Sequence, residues 1–140
     1  MTPLYVTAQR RPVEMIVIWA TVIVWGPSAS GLIRAMDSQA YNLLTSLLPE
    51  QAWGALALAA SGAAMWSLWL NGFGTWRSAL ARVCAYILLA TFYSVIAAGF
   101  AVLDPWTTAA RNYGLLLAPL CVLCARTAAE DLAARVRRHG

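Results

Sequence analysis

The sequence predicts an all-α membrane protein. It should be a bundle of four transmembrane helices, with N- and C-termini cytoplasmic and a short outer interfacial helix. Three observations predict this. The chain of 140 residues is 61% hydrophobic and only 11% charged, whereas a soluble domain of this size carries roughly a quarter charged residues. Its apolar residues fall into separate runs, several of the length, about 20 residues, that a helix needs to cross a bilayer. Its arginines, which supply all ten basic residues, crowd the segments that four crossings would place on one side. The expected unit is a single transmembrane domain over 1–140, with spans at 13–33, 52–73, 80–103 and 106–126 and a basic tail at 127–140.

The first apolar run, Met15 to Ile33, has 19 residues without a charge. Arg10 and Arg11 precede it and hold the N-terminus inside. Pro12 suits a first helical turn, where its missing N–H costs nothing, and Glu14 would meet the positive end of the helix dipole beside those arginines. This stretch therefore has the form of a helix entering a membrane, with Arg11, Pro12 and Glu14 as membrane-entry residues. Ser28, Ala29 and Ser30 before Gly31 resemble the small-residue cleavage site of a leader. The apolar run continues past Ser30 and Glu14 interrupts the basic start, so retention is expected. Pro27, among glycines and serines, predicts a kink near Ser28 and Ser30.

Between the first two runs, Met36, Ala40, Tyr41, Leu44, Leu47 and Leu48 recur at helical spacing, with Asp37, Gln39, Asn42 and Thr45 between them. That pattern predicts the short outer helix. Pro49 and Glu50 then open the second run, Ala52 to Gly74, of 23 uncharged residues. The third run, Val83 to Leu103, has 21. Asn112 to Ala125 provides only 14, and it spans if the helix starts near Trp106 and Arg111 snorkels to the headgroups. Pro119 should bend this span.

Four crossings put Arg10, Arg11, Arg77, Arg82, Arg126, Arg135, Arg137 and Arg138 on one side, against Arg34 and Arg111 on the other. This bias makes the arginine-rich side cytoplasmic. Trp53 and Trp106 would lie near the outer interface, Trp69 and Trp76 near the inner one. In the tail, Arg126 with Glu130 and Asp131 with Arg135 stand four apart, and Arg135, Arg137 and Arg138 would contact anionic lipid headgroups. Small residues recur every fourth position at Ala55, Ala59, Ala63 and Ser67, and again at Ala90, Ser94 and Ala98. Such stripes let helices approach closely, within the bundle or across a homo-oligomer.

Several function classes have no support in the residues. The spans show no acidic residue expected to be buried, since Glu14 and Asp104 read as edge residues, and cation-coupled transport usually needs one. Cys84, Cys121 and Cys124 lie in apolar runs and read as packing residues. Cys121-x-x-Cys124 has no second pair, and the one histidine, His139, is distant, so no metal and no cofactor are expected. No phosphate loop or Ser/His/Asp set is present, and no enzyme is expected. The net charge of +4 is placed for topology and does not form a nucleic-acid surface.

The stretches Arg11-Pro-Val-Glu14 and Pro49-Glu-Gln-Ala-Trp-Gly54, together with Gly62 and the basic inner loop, carry a resemblance. The chain resembles small four-span membrane proteins encoded in tailed-phage genomes, many without assigned function and some labelled holin-like. The resemblance implies a multi-pass inner-membrane protein of a bacterial host and supplies no catalytic residues. Small multidrug transporters and fluoride channels fit less well, since neither family's first-span motif is present. The function expected is self-association in, or perturbation of, the host membrane. The alternatives are a non-pore interaction or superinfection-exclusion protein and a small channel or transporter using Arg111. Its partners would be the lipid bilayer and a second copy or another membrane protein, with no nucleic acid.

Overall fold

The computed structural model describes residues 4–32, 41–70, 76–103, 106 and 108–139, and every described element is helical. Helix α1 runs Leu4–Ala29, α2 Asn42–Leu47, α3 Glu50–Leu70, α4 Trp76–Leu103 and α5 Thr108–Arg111. A π-helical segment, Asn112–Leu117, leads into α6, Ala118–His139. Three helices are long and apolar enough to cross a membrane, over Pro12–Ala29, Glu50–Leu70 and Trp76–Val102. Arg34, Met36, Asp37, Gln39, Ala40 and Asp104 lie outside the described residues, as do the side chains of Arg10, Arg11, Arg138 and His139.

Helix α1 begins well before Pro12, which therefore sits inside the helix and not at its first turn. Pro27 does not end α1 either, because the helix continues to Ala29. Only the last turn follows Pro27, so the ladder has little left to lose to the missing N–H. The helix stops at Gly31, whose φ of +72° is left-handed and favours glycine. The Leu32 N–H donates to the Pro27 carbonyl at 3.0 Å and the Gly31 N–H to that of Ser28 at 3.1 Å. This double bond pattern is a Schellman ending, which satisfies carbonyls the helix leaves free.

Between α1 and α3 the described residues form one short helix fixed on the bundle. In α2, Leu44 is buried, and Tyr41 just before it meets Phe100 edge-on at 4.7 Å. The indole N–H of Trp53 donates to the Leu44 carbonyl at 3.0 Å. Trp53 is thus a buried core residue that anchors α2, which corrects its expected place at a lipid interface. Burial is also the first cause that pushes the Tyr41 phenol well above its usual range, followed by the neighbouring Tyr113. Helix α3 opens at Glu50, and the Pro49 carbonyl accepts from the Ala52 N–H at 2.9 Å.

The long helices close a ring in which α3 packs on α1 and α4, and α6 packs on α4 and α1. Gly54 makes the α1–α3 contact close: a Cβ there would stand 2.7 Å from the Ala29 nitrogen. Across the bundle axis, α1 and α4 meet through large side chains. Trp25 packs edge-on against Phe92 at 4.9 Å, and Tyr93 stacks on Tyr113 of the π segment at 5.9 Å. The Thr21 hydroxyl donates to the Val17 carbonyl at 2.8 Å, so the Tyr93 O–H, 2.6 Å away, is the donor to Thr21. Tyr86, Leu89 and Ile96 fill the remaining axis, each wholly buried.

The π segment has a local cause. Pro119 cannot donate to the carbonyl four residues back, and its ring would crowd that group in a regular helix. Widening the preceding turn removes the conflict, and the Ala118 N–H then donates five residues back to the Tyr113 carbonyl. Gly114 allows the widened turn to lie against α4, since a Cβ there would come within 3.2 Å of the Ala97 methyl.

The outer surface is inverted relative to a soluble bundle. Ile16, Ile23, Leu56, Trp66, Leu88 and Val102 are all exposed, each by more than half. Apolar surface on this scale, on three helices at once, is compatible with lipid as the surrounding medium.

Candidate functional site

At the end of the bundle where α1 enters and α4 begins, four polar side chains from three helices converge. Glu14 comes from α1, Arg82 and Tyr86 from successive turns of α4, and Asp131 from α6. The Arg82 guanidinium grips Glu14 with two donors, Nε to Oε2 at 3.2 Å and Nη2 to Oε1. Its third side reaches Asp131 Oδ2 from Nη1 at 3.0 Å. The Tyr86 hydroxyl donates to Glu14 Oε2 at 2.9 Å. The Arg82 and Glu14 side chains are only 3% and 2% exposed, while Asp131 keeps 18%.

The geometry follows from the helix repeat. Positions 82 and 86 lie four apart and share one face of α4, and that face points to the bundle axis through Ala85, Leu89 and Tyr93, all buried. A planar, five-donor guanidinium is the side chain that can hold two carboxylates at once. Burial on this scale is tolerable only because every charge has a charged partner. The cluster ties α1, α4 and α6 together through charged hydrogen bonds.

This arrangement corrects the sequence reading of Glu14 and Arg82. Glu14 is no edge residue meeting a helix dipole; it is a buried acid inside an apolar helix, and one acidic residue is therefore enclosed after all. Arg82 does not mark topology at a loop, because its charge is consumed inside the protein. Arg126 and Glu130 pair as expected, at 3.2 Å, and Asp131 also reaches across to Arg82. The signal the sequence leaves unread is that Glu14, Arg82 and Asp131, each inside its helix, fold to the same level of the bundle.

The other predicted residues are placed as follows. Ala55, Ala59 and Ala63 are exposed, and of that stripe only Ser67 is buried. Within the protomer, α3 packs through a stripe displaced around the helix, with Gly54, Ala57, Ser61 and Ala64. Ala90 is half-buried, and Ser94 and Ala98 are exposed along a shallow groove between α4 and α6. Packing of these stripes inside one protomer is thus corrected for all but Ser67 and, partly, Ala90. Pro49 is exposed and Glu50 half-buried at the start of α3. Arg135 is half-buried, and Arg137 is exposed with Nε donating to the Ala133 carbonyl at 3.3 Å. Cys121 and Cys124 are free thiols buried in the core, and Cys84 is a free, exposed thiol.

Beside the ionic cluster lies a groove of about 440 Å³ between α1 and α6, with Glu14 in its wall. Its remaining lining is Val13, Leu120, Leu123, Cys124, Arg126, Thr127 and Glu130. No family model, no curated protein and no solved structure matches this chain.

Proposed function

We propose that the protein is a bacterial inner-membrane protein of four spans, termini cytoplasmic, that self-associates in the host membrane and perturbs it, as a holin-like protein of a phage would. The observation that carries this reading is the outward placement of the small-residue stripes. Ala55, Ala59 and Ala63 are exposed on an apolar helix, and a Cβ on Gly62 beside them would meet nothing within 4 Å. Small residues on a lipid-facing surface give up contact with lipid and suit the close approach of another helix. The bundle axis is filled by Tyr86, Leu89, Tyr93 and Ile96, which favours a lesion between protomers over a channel through one. The apolar stretch of the π segment and α6 supplies the fourth span, and the arginine bias supplies the orientation.

A voltage-sensitive dye during induced expression in a Gram-negative host tests the reading. Abrupt loss of membrane potential is expected, delayed or lost in Ala59→Leu/Ala63→Leu, which obstructs the stripe while leaving the buried face intact. Potential maintained at high levels of inserted protein would refute it. One observation favours a second reading, a non-pore interaction protein. Helix α6 runs unbroken to His139, so its charged end, with exposed Arg137 and Val136, forms a rigid docking arm. Deletion of 136–140, which spares Asp131 and the packed part of α6, should remove activity while insertion persists if this arm and not the stripes carries the function.

A further inference from the structure

The groove beside Glu14 is graded in polarity along its length. Leu120, Leu123 and Cys124 of α6 form one end, Arg126, Thr127 and Glu130 form the other, and Val13 and Glu14 line the α1 side. Leu120 to Glu130 covers ten residues, roughly 15 Å at a rise of about 1.5 Å per residue. The gradient runs along the helix axis, from the apolar body of α6 toward its charged end. An amphiphile aligned with the bilayer normal has the same order of chemistry.

The polar end carries both signs. Arg126 and Glu130 are paired yet 76% and 51% exposed, so both are accessible to a ligand that replaces or brackets their contact. The Thr127 hydroxyl spends its hydrogen on the Cys124 carbonyl at 2.9 Å, which leaves its oxygen as an acceptor. The charge of Glu14 is already met by Arg82 and does not call for a second cation. The rim thus offers one guanidinium for a phosphate, and a carboxylate and a hydroxyl oxygen for an N–H-bearing cation. A purely anionic headgroup would leave Glu130 facing a like charge, and a quaternary ammonium has no N–H to give.

We infer that this groove is a lipid site that seats a phospholipid with a primary-amine headgroup, its phosphate on Arg126, its ammonium on Glu130 and Thr127, and its acyl chains along Val13, Leu120 and Leu123. The inference rests on the membrane reading above, and it adds a ligand class to a surface separate from the small-residue stripes.

The test is native mass spectrometry of the full chain released from nanodiscs of equal parts phosphatidylethanolamine, phosphatidylglycerol and phosphatidylcholine with matched chains. We expect ethanolamine lipid to be retained about fivefold over each of the others, the factor that a single exposed ionic contact supplies. Glu130→Gln, at an exposed position, should abolish the preference, whereas Arg126→Ala should weaken retention of all three lipids, which share the phosphate. Leu123→Trp, which fills the apolar end, should reduce retention of all three lipids with helicity unchanged. Equal retention by the wild type, preference for the glycerol lipid, or a preference that survives Glu130→Gln would overturn the site. Resistance of the wild type to alkaline extraction from membranes is measured separately. Extraction of the protein would overturn the membrane reading itself, whereas retained protein without lipid preference would overturn only the groove.

Discussion

Replacing Arg82 with methionine removes the one cation that holds Glu14 among the described residues, and with it the link to Asp131. Methionine keeps most of the side-chain volume, so packing changes little and the loss is mainly electrostatic. Glu14 is 2% exposed and would keep only the Tyr86 hydroxyl. Asp131, at 18%, can turn partly to water. Breaking a buried pair by deleting one partner costs about 3–5 kcal/mol. Arg82→Met should therefore destabilise the bundle by about 3 kcal/mol or more. Glu14→Gln alone, which leaves Arg82 bonded to Asp131, should cost roughly 1.5–3 kcal/mol, the worth of a hydrogen bond to a charged group. The double variant should cost less than the sum, with a coupling of about 1–3 kcal/mol. Reversible unfolding in mixed micelles of increasing dodecyl sulfate fraction, followed by tryptophan emission, measures all three. Arg77→Met is the control: Arg77 is an exposed arginine stacked 5.8 Å from the Trp76 ring, and its loss should stay below about 1 kcal/mol. An Arg82→Met effect no larger than that of Arg77→Met, or losses that simply add, would refute the ionic lock.

Two further predictions follow from the same contacts. Gly54→Ala pushes a methyl into the Ala29 backbone and should cost about 1–3 kcal/mol by overpacking. Gly62→Ala meets nothing within 4 Å and should be neutral or stabilising by up to about 1 kcal/mol through helix propensity; equal effects in the micelle titration would count against the α1–α3 contact. Tyr93→Phe deletes the donor to Thr21 and keeps the ring stacked on Tyr113, so its loss should be near 0.6 kcal/mol, the approximate mean for hydrogen bonds within membrane bundles, and a loss several times larger would mean the hydroxyl has a further role.

The class of the protein was legible in the sequence because composition and run length are properties of the chain alone. Three uncharged stretches of 19 residues or more become three helices long and apolar enough to cross a membrane, whatever packs on them. Helix α3 likewise begins at the Pro49–Glu50 signal, since a helix start is local chemistry. Which face of each helix turns inward was not legible. Helices that are apolar all round have almost no amphipathic signal, so the stripe of Ala55, Ala59 and Ala63 looked as suitable for the interior as the stripe of Ala57, Ala60 and Ala64 that occupies it. The ionic cluster was hidden for a related reason. Glu14, Arg82 and Asp131 each have an ordinary local explanation, as a helix-dipole partner, a topology charge and an i,i+4 partner. Only the tertiary structure brings residues 68 and 49 positions apart within hydrogen-bond distance, and it is their mutual neutralisation that permits their burial.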